Sequence, residues 1–129
     1  MAGQLSAESC GALFAKSSKG ASSNYGIGTD GRIALYVDEA NRSWCTSSNA
    51  NDQRAVTIEV ANNGGAPDWP VSAKAYAALL DLVTDICKRN GIKKLIWSTN
   101  KADRVNHANG CNMTVHRDYA NKACPGQYL

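Results

Sequence analysis

Residues 55–91 read AVTIEVANNGGAPDWPVSAKAYAALLDLVTDICKRNG. At its start Val56, Ile58 and Val60 alternate with Thr57 and Glu59, the two-residue period of a strand over residues 55–60. The cluster Asn62-Asn63-Gly64-Gly65, with Pro67 and Pro70, ends that strand. Ser72 then stands as an N-cap. Tyr76, Leu79, Leu80, Val83, Ile86 and Cys87 recur at helical spacing, which predicts an apolar stripe packed on a core. Lys88 and Arg89 suit the carbonyl end of the helix dipole, and Gly91 suits the turn that leaves it.

Working outward, residues 25–28 and 33–37 flank Thr29-Asp30-Gly31-Arg32, and an Asp-Gly pair between apolar runs predicts a hairpin of two antiparallel strands. Ahead of them, Ser6 caps an expected short helix over residues 5–15, and the Ser/Gly-rich residues 17–23 read as a loop. Residues 38–54 are polar apart from Trp44 and Cys45 and form a long connection suited to lining a site. Downstream, residues 94–98 read as another strand, 99–112 as a polar loop and 113–129 as a final segment. Strands before and after a long helix predict an α/β (mixed α+β) class, a central mixed sheet flanked by helices.

The 129 residues fall within the size of one domain with one core. No stretch approaches the roughly 20 apolar residues that a membrane span needs. Lys and Arg are scattered over a formal charge of +3, so neither a nucleic-acid nor a membrane partner is expected, and the chain is read as a monomer. Five cysteines, an odd number at irregular spacing, fit a reducing compartment better than a closed disulfide framework. The N-terminal residues Met-Ala-Gly-Gln-Leu-Ser show no signal peptide, so synthesis in the cytoplasm is expected.

Histidine occurs only at His107 and His116, and His116 lies eight positions before Cys124. Imidazole and thiolate both ligate zinc, but a catalytic site takes three protein ligands and leaves one position for water. By spacing alone, an ordinary buried cysteine and a surface histidine explain the pair better than a metal does.

Four blocks, however, agree in order and approximate spacing across nearly the whole chain: Ser23-Asn24-Tyr25-Gly26-Ile27-Gly28 running into Asp30-Gly31-Arg32-Ile33; Asn41-Arg42-Ser43-Trp44-Cys45; Val56-Thr57-Ile58-Glu59-Val60-Ala61-Asn62; and Asn112-Met113-Thr114-Val115-His116-Arg117 with Ala123-Cys124-Pro125-Gly126. In these blocks the chain resembles the zinc-dependent N-acetylmuramoyl-L-alanine amidases of the peptidoglycan-recognition-protein superfamily, particularly the catalytic domains of endolysins and autolysins. The resemblance implies zinc as cofactor, with His116 and Cys124 as its second and third ligands. It implies that Glu59 takes a proton from the attacking water and passes it to the leaving amine, a role that needs a carboxylate held near the metal. It gives Lys122 the stabilisation of negative charge on the tetrahedral intermediate, and Tyr25 the orientation of water or donation to the oxyanion. Each has a plainer reading as well: Glu59 as the solvent-facing member of an alternating strand, Lys122 as a solvated lysine, Tyr25 as strand packing.

One departure limits the match. The family's first zinc ligand is a histidine at the end of an N-terminal strand, just ahead of the segment matching Met1-Ala2-Gly3, and the family domain continues as a helix after the Pro-Gly segment. The chain therefore reads as a single amidase-like domain over residues 1–129, trimmed at both ends, without the first strand and the C-terminal helix. His107 is read as a surface or groove residue and Cys45 and Cys111 as buried structural thiols, rather than as substitute ligands. The implied function is hydrolysis of the amide between N-acetylmuramic acid and L-alanine in bacterial peptidoglycan, reached at lysis or by an export route other than a signal peptide. The alternative is a binding module that holds muropeptides without cutting them. A thiol hydrolase with Cys124 as nucleophile is disfavoured by the Pro-Gly that follows it.

Overall fold

The structure, a computed structural model, describes residues 3–129, so the Met1-Ala2 part of the pattern lies outside the described residues. The predicted hairpin is present as β1 (Tyr25–Ile27) and β2 (Ile33–Leu35), paired antiparallel with Tyr25 opposite Leu35 and Ile27 opposite Ile33. Its turn closes through Gly28 N–H donating to the Arg32 carbonyl at 2.9 Å and Gly31 N–H donating to the Gly28 carbonyl at 3.0 Å. Gly31 has φ +84°, where a side chain is strained, and a Cβ there would meet the Lys74 carbonyl oxygen at 2.9 Å.

After α2 (Asn49–Asp52), capped by Ser48, β3 (Ile58–Val60) joins β1 in parallel, giving the order β2-β1-β3 and the mixed sheet that was expected. The strand is shorter than residues 55–60 because Asn24 continues the ladder with its side chain. Thr57 N–H donates to Asn24 Oδ1 and Asn24 N–H donates to Thr57 Oγ1, both at 3.0 Å.

Helices cover both faces. α1 (Ala7–Phe14) starts at Ser6, whose hydroxyl accepts from Ser9 N–H, as its sequence predicts. The Tyr36 ring lies between α1 and the sheet against Gly11 and Gly26, positions where no side chain fits beneath it. On the opposite face α3 (Ala73–Arg89) is capped by Ser72, which accepts from Ala75 N–H at 3.0 Å and donates to the Thr29 carbonyl at 2.6 Å. The core lies there: Ile27, Val60, Val71, Ala75, Leu82 and Ile86, with Tyr25, Ile58 and Leu79 packed against it.

Three expectations are corrected. The buried face of α3 is centred on Ala75, Leu82 and Ile86, so Tyr76 and Leu80 stand 42% and 52% exposed. The small Ala75, fully buried, lets the helix backbone approach the sheet and turns those larger side chains outward. Residues 94–98 form no strand among the described residues. Asn112 takes the place of a neighbouring strand: its side chain accepts from Ile96 N–H at 2.8 Å and donates to the Lys94 carbonyl at 2.9 Å, while its own N–H donates to the Ile96 carbonyl. The expected loop 99–112 contains α4 (Lys101–Asn106), capped by Asn100. The chain then reaches a single 3-10 turn, His116–Asp118.

Candidate active site

His116 opens that 3-10 turn, and Arg117 N–H donates to the Cys124 carbonyl at 3.1 Å, folding the Lys122–Cys124 segment back alongside it. The His116 ring is partly buried, and its Nε2 has no hydrogen-bond partner among the described residues although water cannot reach it. An unpaired buried imidazole nitrogen is costly unless an electron-pair acceptor or a donor completes it. Burial pushes the His116 pKa below its ordinary value, opposed by the nearby carboxylates of Glu59 and Asp52 and reinforced by Lys122. Burial thus favours the neutral imidazole, the form that binds metals.

Two of the predicted residues, Glu59 and Lys122, lie near enough to His116 to act on its charge. Glu59 sits on β3 in register with Gly26, and the two share the face turned toward Tyr36 and α1, away from the core. Its carboxylate is felt at both His116 and Cys45. His116 and Lys122 line a cleft of about 430 Å3 whose other wall carries Arg42, Trp44, Cys45 and Asp52 from the long polar connection. Burial pushes the Cys45 thiol up to about 12, with the Glu59, Asp52 and Cys124 charges adding to it, so Cys45 is a neutral thiol here. Asp52 braces that wall by accepting from the Cys45 and Thr46 N–H groups.

Tyr25 is not brought to this cluster. It lies on the opposite face of the sheet, with Ile27, Ile58 and Val60, and its hydroxyl donates to Glu39 Oε1 at 2.7 Å. Arg89 at the end of α3 donates to both oxygens of Glu39, at 2.8 and 2.9 Å, holding that carboxyl down to about 2, with the Tyr25 hydrogen bond contributing. His107 terminates α4 at φ 54°, with Nδ1 3.2 Å from the Cys111 carbonyl oxygen.

The model of the N-acetylmuramoyl-L-alanine amidase family matches residues 2–127. The chain belongs to the N-acetylmuramoyl-L-alanine amidase family. Neither a curated protein nor a solved structure matches it. For the zinc associated with such amidases, the donor chemistry of His116 and Cys124 fits two positions, and the unpartnered His116 Nε2 is an available lone pair. Among the described residues, no group of three or more His, Cys, Asp or Glu side chains is arranged to hold a metal ion. Nor is any helix among them long and apolar enough to cross a membrane.

Two residues beside His116 and the cleft went unmarked in the sequence reading. Asp52 carried only the signal of a polar loop. Asp118 follows His116 by two residues, but its partner Arg104 lies fourteen residues back on α4, a separation without a local pattern.

Proposed function

We propose that this chain hydrolyses the amide joining the lactyl group of N-acetylmuramic acid to the L-alanine of the stem peptide in peptidoglycan, with His116 and Cys124 as two of the ligands of a catalytic zinc. The observation that carries the reading is the unpartnered, buried His116 Nε2 beside Lys122 at a cleft within reach of the Glu59 field. Zinc, when bound, supplies a Lewis acid that polarises the carbonyl and acidifies water. Glu59 accepts the proton of the attacking water and delivers it to the departing amine nitrogen. Its place on a sheet strand holds the carboxylate steady against the site. The Lys122 ammonium offsets the charge that gathers on the carbonyl oxygen. The Arg42 guanidinium, 5.2 Å from the Trp44 ring centre, lines the same cleft with that ring and offers the substrate a cation and an aromatic surface.

A second reading is favoured by one specific observation, the lack of a three-donor group among the described residues. In that reading the cleft holds a muropeptide without cutting it. Zinc analysis and a wall-hydrolysis assay separate the two. Stoichiometric zinc, with amide cleavage abolished by a chelator, is the result expected for the hydrolase. A metal-free protein that retains muropeptides and releases no free stem peptide establishes the binding module instead.

A further inference from the structure

Arg104 and Asp118 form a buried ion pair, with side chains 7% and 1% exposed. Arg104 Nε donates to Asp118 Oδ2 at 2.9 Å and its Nη2 to Oδ1 at 2.5 Å, the two-pronged match of guanidinium and carboxylate. The remaining Nη1 donates to the Ser98 carbonyl at 2.6 Å, and the guanidinium lies 4.2 Å from the Trp97 ring centre. Asp118 Oδ2 also accepts from Val115 N–H at 3.1 Å. The carboxylate therefore joins the residue before His116 to the residue two after it. The guanidinium in turn fastens that closed turn to α4 and to the segment carrying Trp97 and Ser98.

A buried pair of this kind gains little net stability over well-packed apolar side chains, because both charges lose their hydration. What it supplies that apolar packing does not is a fixed direction at each of its hydrogen bonds. We infer that Arg104 and Asp118 are positioning residues for His116: they set the backbone turn on both sides of it and so aim its ring into the cleft. The functional consequence rests on the zinc reading above, whereas the positioning itself is measurable without metal.

The test uses two variants of the full chain. Arg104→Lys keeps the charge and loses the two-pronged geometry. The double variant Arg104→Met with Asp118→Leu replaces the pair by apolar bulk and removes the acceptor of Val115 N–H. The first readout is the His116 ring resonance of metal-free protein by NMR, with the Tyr25 ring on the other face of the sheet as control. The second is zinc affinity, by competition with a chromogenic chelator. In both variants the His116 resonance is expected to broaden or double while the Tyr25 signals hold, and zinc affinity to fall by roughly tenfold. An unchanged His116 resonance in either folded variant overturns the proposal. Unfolding of both variants overturns it as well, since the pair would then hold the whole domain rather than the turn. If the unsubstituted protein binds no zinc but its His116 signal still broadens in the variants, the positioning stands and the zinc reading fails.

Discussion

Glu59 and Gly26 lie side by side on the α1 face of the sheet, and Glu59 is, with Asp52, one of two carboxylates whose charge acts on His116. Glu59→Gln preserves its shape and removes its basicity, so amide hydrolysis is expected to fall by about 10²-fold or more, with muropeptide binding retained, in paired turnover and binding assays. On the proposed mechanism Lys122→Met removes a charge that acts mainly on the transition state, and its expected signature is a lower kcat with KM little changed. Only the family pattern named His116, Lys122 and Glu59 together, because residues more than fifty positions apart share no periodicity. Tyr25 shows the limit of that pattern. A strand places neighbouring residues on opposite faces, and register with β3 puts Tyr25 beside Ile58 rather than Glu59.

Among the elements, α1 and α3 were legible because their signals are local: a serine cap, a one-sided stripe, and for α3 basic residues in the last turn. Which face of α3 is buried was not, since the choice depends on how closely Ala75 lets the helix approach β1. Ala75→Leu is therefore expected to destabilise the fold by about 1–3 kcal/mol in denaturant titrations, whereas Leu80→Ala, at an exposed position, changes it little. The segment 94–98 misled for a related reason. Its apolar residues fit a strand, but one side chain, Asn112, satisfies the backbone groups a strand would have used. The Tyr25–Glu39–Arg89 chain links β1 to the end of α3 and gives the fold a pH dependence. The folded Glu39 carboxyl titrates near 2, below its ordinary value of 4.5, so the folded state binds fewer protons between those values. Stability from this contact is full above about pH 4.5 and is lost as pH falls toward 2. Glu39→Gln is expected to flatten that part of an acid-denaturation curve, followed by circular dichroism.

For the molecule as a whole, zinc that binds only the folded chain must also stabilise it. At a free concentration one hundred times its Kd the gain is about 2.7 kcal/mol, seen as a rise in Tm that a chelator reverses. A His116→Ala variant is expected to show no such rise. The class of fold was legible at this scale, since a hairpin and an alternating strand ahead of a long amphipathic helix predict a sheet with helices packed on it, even though the strand expected after that helix does not form among the described residues. The polar connection 38–54 was legible as the lining of a site and does line the cleft; that the segment around Lys122 completes it was not, because the two are joined only by folding. The two-sidedness of the sheet has a practical bearing. Its α3 face carries the apolar core and its other face carries Glu59, so on the proposed function stability and catalysis are separately adjustable. Repacking beneath α3, or a tether fixed at its outward Leu80 side, offers a way to harden or immobilise the molecule while leaving its chemistry as it was.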